Sequence, residues 1–399
     1  MIIRLLNAAP RWVRRSVTAM TRGKGPLGRL YDVLVHRLPD EALMTLPEHG
    51  ANPVRVLIGP ANSAGQGYEW ARAIEAADAR VSAVAMMAFE PGDFGMRADV
   101  RVDTASYLRS EAWHDRLEAY LRGCTHVLIE SGVSLLGRRY GTDAFAEARL
   151  LRDRGVEVGM MFHGSDLRLP SQHLLENEWS PFSNPALPSR LLEDSASRVI
   201  AETTALACPV FVSTPDLTRY FDGAVWCPLV VEPGRWATPR ADGLPPRPVV
   251  VHAPTNPHTK GALLVAPALR ALDAEGVIEY RSVSGVRHDD MPAVYAEADI
   301  VLDQFLIGSY GVAACEAMAA GCIVVGHVDE LTRHAVRQST GLEVAIADAT
   351  VDTIGDVVRG LVAESPSATA ARRKRAIEFV QAVHSGRRSA EALSLLLER

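Results

Sequence analysis

The sequence predicts an α/β protein of two domains, each built on an open sheet of parallel strands. Short apolar runs typical of strands alternate with longer helical segments along most of the chain. A segment crowded with Pro and Gly, Glu232–Pro248, separates two halves. In each half the first strand leads into a loop of small and polar residues and then into a helix, the opening unit of a doubly wound sheet.

Composition limits the function classes. The 399 residues are enough for two or three domains, and 48% hydrophobic with 23% charged residues is typical of a soluble globular protein. A net charge of −6 gives no general attraction to nucleic acid. The five cysteines lack paired spacing and indicate buried thiols in a reducing compartment, without disulfides or zinc. No apolar run approaches the roughly 20 residues of a membrane span, and no signal peptide is evident, so we expect a cytoplasmic protein.

Residues 1–50 are expected to form a basic N-terminal extension. Met1–Asp40 carries eight Arg or Lys against two Asp, with apolar residues between them. Two interpretations remain open for residues 1–40. The segment is a disordered or loosely docked extension, since Pro10 breaks the apolar spacing, or it makes a peripheral contact with anionic lipid at the inner face of the membrane.

The first domain is expected at residues 51–235. It opens with the strand Val54–Ile58, the loop GPANSAGQG and a helix over Tyr68–Ala77. Strand-like segments and helical stretches then alternate, which predicts the parallel sheet. The expected strands are Val81–Met86, His126–Glu130, Glu157–Phe162 and Val199–Ala201, and the expected helices are Glu111–Arg122 and Asp143–Arg154.

Polar residues follow the strand Glu157–Phe162, at the edge of the sheet where ligands bind in such folds. His163 is able to act as acid, base or hydrogen-bond donor near neutral pH. Asp166 and Arg168 either face the cleft or pair with each other. The segment Ser213–Asp216 has the chemistry of a helix start and is interpreted as architectural.

A linker is expected at residues 236–248, a second domain at 249–375 and a final helical segment at 376–399. The second domain repeats the alternation of the first. Its expected elements are the strands Val249–His252, Ile278–Val283, Ile300–Asp303 and Ile323–Val325, the helices Ala262–Glu275 and Met291–Glu297, and a C-terminal helical region Ala368–Glu398.

The stretch Ile307–Val325 predicts a short loop, a helix and a buried strand. Gly308, Ser309 and Gly311 allow a tight turn, and the free N–H groups at the start of the helix favour an anion. Glu316 lies within the helix among small side chains, where its carboxylate is able to accept hydrogen bonds from a ribose diol. A surface Glu on a packing helix remains the alternative.

Lys260 stands just before the first long helix of the second domain, where a Lys is able to meet a phosphate as a point charge. Alone, such a residue is more often a solvated surface Lys, but its convergence with the Glu316 loop favours ligand contact. Asp303 and Gln304 end a strand that faces the same cleft.

The stretch Gly308–Val325 resembles the nucleotide-sugar site of GT-B glycosyltransferases, especially the retaining glycosyltransferase family 4, with the pattern E-G-F-G-x-x-x-x-E-A-M-A-x-G-x-P-V-V. The first Glu of this pattern falls on Gly308 and its Pro on Ile323. Further blocks resemble one branch of bacterial glycosyltransferases, and together the resemblance covers roughly Val54–Glu398. These blocks are HGSDLR, VSTPDLTRYF, VWCPLVV, HAPTNPHTKG and ADIVLDQFLIGSYG. The residues that match the pattern are Tyr310, Gly311, Glu316, Ala317, Met318, Ala319 and Gly321.

The resemblance implies two Rossmann-like domains that face each other across a cleft, the GT-B architecture. The second domain would bind a nucleoside-diphosphate sugar and the first a glycan or lipid-linked acceptor, with a last helix that crosses back. The implied reaction transfers the sugar with retention, in cell-surface polysaccharide or glycolipid synthesis, and needs no metal or other cofactor. A hinge at the linker would close the cleft.

By the same resemblance Glu316 would bind the ribose and Lys260 the diphosphate. The amides of Tyr310 and Gly311 would hold the distal phosphate, and His163 would lie near the transferred sugar. The expected catalytic residues are His163, Lys260 and Glu316. The expected donor-binding residues are Lys260, Gly308, Ser309, Tyr310, Gly311, Val312 and Glu316. The expected acceptor or cleft residues are Asn62, Gly65, Gly67, Asp166 and Arg168.

Three alternatives stay open. A non-catalytic nucleotide- or glycan-binding relative is favoured by Gly308 and Thr255, where the family has Glu and Arg. A nucleotide-sugar epimerase shares the fold, and a glycan phosphorylase would need a cofactor-binding Lys that we do not find. Turnover of a nucleotide sugar separates an enzyme from a binding protein.

Overall fold

The computed structural model describes residues 45–90 and 92–398, together with Pro10 and Val13. The expected extension at residues 1–40, with its two interpretations, lies outside the described residues apart from these two positions. The described chain forms two open sheets whose strand pairs are all parallel, which confirms the predicted fold class.

The first sheet has seven strands in the order β3-β2-β1-β4-β5-β6-β7. Its central strands are buried on both faces, as expected of parallel strands that read as continuous apolar runs. The strands are β1 Val54–Gly59, β2 Val81–Phe89, β3 Val100–Asp103, β4 His126–Glu130, β5 Glu157–Phe162, β6 Val210–Val212 and β7 Val225–Trp226.

Helices cover both faces of this sheet and bury two apolar cores against it. Side-chain caps begin several of these helices: Ser110 accepts the backbone N–H of Trp113, and Asp143 accepts those of Phe145 and Ala146. The helices are Gln66–Ala77, Thr104–Arg109, Glu111–Leu121, Ala144–Asp153, Pro170–Glu176 and Ser189–Leu206, and short 3₁₀ helices occupy Ser63–Gly65, Pro181–Ser183 and Pro215–Tyr220.

The predicted strand Val199–Ala201 is wrong, because these residues lie inside the helix Ser189–Leu206. Within this helix Ala196, Val199, Thr203 and Leu206 are buried at spacings of three and four, the periodicity of a helix face. A three-residue apolar run does not carry enough periodicity to separate strand from helix. Beyond β4, the strand that pairs with β5 is β6, Val210–Val212, which follows this helix.

The second sheet has five strands in the order β12-β11-β10-β8-β9. Its strands are β8 Val249–His252, β9 Glu279–Ser282, β10 Ile300–Leu302, β11 Ile323–Gly326 and β12 Ala347–Asp348. The helices of this half are Pro233–Trp236, Pro257–Lys260, Ala262–Ala274, Met291–Glu297, Val312–Ala319, Glu330–Thr340, Ile354–Val362 and Pro366–Val383, with a 3₁₀ helix at His288–Asp290.

The last helix, Arg387–Leu397, packs on the first domain. Leu393 and Leu396 lie in the same buried cluster as Trp70 and Ile58. The helix before it, Pro366–Val383, packs in the core of the second domain. The chain therefore returns to the first domain at residues 384–386, later than the expected boundary at 376.

The strand order of each sheet indicates where a ligand site is expected. In the first sheet the chain leaves β1 towards β2 on one side and returns to β4 on the other. In the second sheet β8 has the same position between β9 and β10. Ligands of open α/β sheets bind at the carboxyl ends of strands beside such reversals, so a ligand site is expected at the loops after β1, β4, β8 and β10.

Candidate active site in the interdomain cleft

A cleft of about 600 Å³ lies between the two domains at the carboxyl ends of both sheets. Its lining comes from both halves of the chain and includes His163, Thr214, Lys260, Gly311 and Glu316. Much of the remaining lining is apolar, with a few polar groups that converge from opposite sides. Such a composition is typical of small-molecule sites.

On the first-domain side, His163 follows β5 directly and its imidazole Nε2 lies 3.1 Å from Glu130 Oε1. Glu130 ends β4 and is fully buried. The Trp70 ring stacks on the imidazole with a centroid distance of 5.6 Å and an interplanar angle of 13°. Glu130 and Trp70 thus hold the ring of His163 in one orientation at the cleft.

The charges around His163 favour its protonated form. Burial lowers the pKa of an imidazole, but here the hydrogen bond and charge of Glu130, with the charge of Asp166, outweigh burial and raise the pKa of His163. Asp166 also accepts the backbone N–H groups of His163 at 3.0 Å and of Gly164 at 2.7 Å. Asp166 therefore fixes the loop after β5 and adds negative charge beside the imidazole.

On the second-domain side, Lys260 ends the short helix Pro257–Lys260. Its Nζ lies 3.2 Å from Oδ1 of Asp303, which directly follows β10. The other carboxylate oxygen, Oδ2, accepts the backbone N–H of Gly311 at 3.0 Å. Asp303 therefore joins the Lys260 ammonium to the residue that precedes the helix Val312–Ala319.

Glu316 is buried within that helix, and His288 holds its carboxylate. His288 Nε2 lies 2.7 Å from Glu316 Oε1, which leaves Oε2 for a ligand hydroxyl. Burial raises the pKa of Glu316, while the hydrogen bond and charge of His288 act in the opposite direction. The backbone N–H of His288 also donates to the carbonyl oxygen of Phe94 at 2.8 Å, so this residue connects Glu316 with the first domain.

The glycine loop before this helix contributes less to the cleft than the sequence suggested. Gly308 has φ +71°, and a Cβ there would lie 2.5 Å from Asp329 Oδ2, so a Glu at this position is strained and requires the Asp329 side chain to move. Ser309 and Tyr310 are buried, and the Tyr310 hydroxyl lies 3.2 Å from the His384 ring. Of the expected loop residues, the cleft is lined by Gly311 and by Val312, the first residue of the helix.

The first domain holds the same loop from outside the cleft. His173 Nε2 lies 3.1 Å from the carbonyl oxygen of Ile307, and the Asn177 amide donates to that of Leu306 at 3.2 Å. Burial, chiefly, lowers the pKa of His173 to about 4, which leaves the ring neutral in this junction. With the Phe94–His288 contact, these bonds connect the domains on both sides of the cleft.

The expected acceptor-side residues have mainly structural contacts. Asn62 is buried, and its backbone N–H donates to Glu130 Oε2 at 2.7 Å. Gly67 packs against Asn62 and Glu130, and a Cβ added at Gly67 would lie only 3.1 Å from Asn62 Oδ1. Gly65 lines a small cavity next to the cleft, which Glu316 also borders.

Arg168 does not pair with Asp166, the pairing considered from the sequence. It forms a buried ion pair with Asp216 instead. Burial would raise the pKa of Asp216, but the Arg168 charge outweighs burial and lowers it. Arg168 and Asp216 therefore join the loop after β5 to the loop after β6, beneath the cleft.

The structure brings together His163, Lys260 and Glu316, and it adds three residues that sequence reasoning left without a role. Glu130, Asp303 and His288 each contact one of the expected residues. Glu130 and Asp303 could have been found from the sequence in the same way as His163, because each is a polar residue at the carboxyl end of a buried strand. His288 begins the 3₁₀ helix His288–Asp290 after β9, where position in the sequence gives no indication of its partner.

Within residues 45–90 and 92–398, no group of three His, Cys, Asp or Glu side chains has the arrangement of a metal site. No helix in the described part of the chain has the length and apolar composition needed to cross a membrane. The five cysteines are free thiols, four of them buried and Cys208 partly buried.

No family model and no curated protein matches this chain. Solved structures do match it. Sucrose-phosphate synthase from Thermosynechococcus elongatus is 15% identical, with 86% of this chain and 98% of that chain covered and a TM-score of 0.54. Anabaena HepE in complex with UDP and glucose is 11% identical, with 86% and 99% covered and a TM-score of 0.53. A glycosyltransferase from Rickettsia africae is 11% identical, with 88% and 99% covered and a TM-score of 0.50.

At these identities the likeness concerns the fold. The two sheets of parallel strands agree with it. This chain has the GT-B fold, two Rossmann-like domains that face each other across a cleft.

Proposed function

We propose that this protein is a glycosyltransferase that moves a sugar from a nucleoside-diphosphate sugar to a glycan or lipid-linked acceptor. One observation carries the proposal. Lys260 and Glu316 from the second domain and His163 from the first line a single cleft at the carboxyl ends of both sheets. HepE, a neighbour in fold, was solved with UDP and with UDP-glucose, which supports a nucleotide sugar as the ligand class.

The proposed chemistry assigns one task to each group. Glu316 accepts hydrogen bonds from the ribose through Oε2 while His288 holds Oε1. Lys260 and the start of the helix Val312–Ala319 stabilise the charge that grows on the diphosphate leaving group. His163 faces the transferred sugar as a hydrogen-bond donor whose orientation Glu130 and Trp70 fix.

The finer features of the proposal rest on the family resemblance. We propose retention of the anomeric configuration, no requirement for a bound metal, and an acceptor of a cell-surface polysaccharide or glycolipid. The basic segment 1–40 supports a location at the membrane surface. NMR of the product anomer, activity in the presence of EDTA, and vesicle binding with and without residues 1–44 test these features separately.

A thermal-shift panel with UDP, GDP, ADP, TDP and CMP tests the donor site first. Ligand at about 100 times its Kd adds about 2.7 kcal/mol of stability, which moves Tm by roughly 5–11 °C, since each kcal/mol shifts Tm by about 2–4 °C in a domain of this size. We expect one nucleoside diphosphate to shift the wild type and not Glu316→Ala. Absence of a shift with all five would overturn the proposal.

A nucleotide-binding relative without turnover is the second candidate. Two observations favour it: Gly308 stands where the family has Glu, in a backbone conformation that strains a side chain, and Asp303 already pairs with Lys260. Release of the nucleoside diphosphate from the matching nucleotide sugar decides between them. An enzyme cleaves the nucleotide sugar and frees the nucleoside diphosphate faster when acceptor is present. A binding protein is stabilised by the nucleotide but does not cleave the nucleotide sugar.

A further inference from the structure

Asp303 occupies the position that the proposed function gives to a phosphate. Its two carboxylate oxygens contact the Lys260 ammonium at 3.2 Å and the Gly311 backbone N–H at 3.0 Å. An ammonium and an N–H at the start of a helix are the donors that a phosphate oxygen would use. The carboxylate therefore satisfies the same groups that an incoming diphosphate requires.

Contacts fix the backbone of Asp303, so only its side chain is able to move away from Lys260 and Gly311. Its N–H donates to the carbonyl oxygen of Val325 at 3.0 Å. Gly326 packs against the backbone of Gln304 and lies close to Asp303. A Cβ added at Gly326 would be 3.0 Å from the Gln304 carbonyl oxygen. The carboxyl group is buried, with 3% of the residue exposed. Rotation of the Asp303 side chain is the movement that frees both donors.

The Asp303 carboxylate also disfavours a second anion beside Lys260, the cation that it contacts directly. Further along the cleft, Arg235 and His288 add positive charge near Glu316, so the repulsion comes from Asp303 itself. A carboxylate at contact distance from a phosphate repels it strongly in a partly buried site. Either the diphosphate displaces Asp303 from Lys260, or it binds against this repulsion.

We propose that Asp303 is an internal anion that occupies the phosphate position of the cleft and competes with the diphosphate of the nucleotide. This inference rests on the proposed function and concerns the specificity of the same site. Asp303 weakens binding of any ligand through its phosphates, and it makes release of the nucleoside diphosphate easier after transfer. Ligands that bind through the base and ribose alone do not meet this competition.

Titration calorimetry with Asp303→Asn tests the inference. The amide keeps the size of the carboxyl group and an oxygen for Lys260, but it removes the negative charge. We expect this variant to bind inorganic pyrophosphate, and whichever of UDP, GDP, ADP or TDP stabilises the wild type, about tenfold more tightly. Binding of the matching nucleoside, without phosphates, should not change.

Asp299→Asn is the matched control. Asp299 lies at the other end of the same strand, where it pairs with Arg373 and accepts the Val249 backbone N–H. This variant should bind pyrophosphate and nucleotide like the wild type. If Asp303→Asn does not fold, Asp303→Ser serves in its place, since Ser carries no charge and offers a hydroxyl oxygen to the Gly311 N–H.

Equal or weaker binding of pyrophosphate and nucleotide by folded Asp303→Asn would overturn the inference, because Asp303 would then position Lys260 and not compete with the ligand. The proposed function stands in that case if the wild type still binds a nucleotide and Glu316→Ala does not. If neither the wild type nor Asp303→Asn binds any nucleotide, the proposed function fails. Tighter binding of pyrophosphate by Asp303→Asn than by the wild type would then still support an internal anion.

Discussion

Replacement of His288 by Ala removes the hydrogen-bond donor that holds Glu316. The two groups are 2.7 Å apart, and their side chains are 12% and 7% exposed, so water does not replace the lost donor easily. A hydrogen bond to a buried charged group contributes about 1.5–3 kcal/mol. If Glu316 binds the ribose, the Kd of the nucleoside diphosphate should rise by about 10- to 100-fold.

The pH dependence of this effect has a definite sign. Burial already raises the pKa of Glu316, and His288 opposes that rise. Without His288 the pKa of Glu316 rises further, so the carboxyl group becomes protonated at a higher pH and accepts ribose hydroxyls less well. Affinity in the variant should therefore begin to fall at a higher pH than in the wild type as the solution is acidified.

Titration calorimetry between about pH 5.5 and 8.5 measures both effects. His334→Ala is the matched control, because His334 is exposed on the helix Glu330–Thr340, outside the cleft lining. His288→Gln supplies an amide donor and should restore part of the affinity. Wild-type affinity and an unchanged pH profile in folded His288→Ala would refute the claim that His288 positions Glu316.

Three further predictions concern the cleft. Lys260→Met should weaken binding of the nucleoside diphosphate by about 10- to 100-fold in calorimetry and leave nucleoside binding unchanged, and an equal loss for both ligands would contradict a phosphate contact. Gly308→Glu should lower the free energy of unfolding by about 2–4 kcal/mol in urea titrations, because φ is +71° and a Cβ would lie 2.5 Å from Asp329 Oδ2; unchanged stability would show that this loop adapts. Glu130→Gln should lower the free energy of unfolding most at low pH. Because Glu130 raises the pKa of His163, the stabilisation that Glu130 gives is complete below about pH 6.5 and is lost as the pH rises through the raised pKa of His163. A constant difference in unfolding free energy across pH would contradict that coupling.

Regular apolar runs made the fold predictable. The strands expected at Val54–Ile58, Glu157–Phe162 and Val249–His252 are present within one residue of their expected ends. Buried parallel strands require continuous apolar runs, and the loops between them require polar residues and Gly, so both appear in the sequence. The prediction failed at Val199–Ala201, where three apolar residues fit a helix face as well as a strand.

The candidate site was predictable only in part. His163, Lys260 and Glu316 each lie next to the carboxyl end of a strand or the start of a helix, and parallel sheets gather those positions at one edge. Ser309 and Tyr310 belong to the same motif, yet they are buried away from the cleft lining. A motif fixes spacing along the chain, but the direction of each side chain depends on the elements packed around it.

The sequence by itself determined two doubly wound domains, the edge of each sheet that faces the cleft, and three of the polar side chains found there. Tertiary structure alone decided the partners of those side chains. Glu130 reaches His163, and His288 reaches Glu316, because strands and loops far apart in sequence are brought side by side. Hydrophobic patterning acts along one segment at a time, whereas a carboxylate finds its partner through contacts that exist only after both sheets have formed.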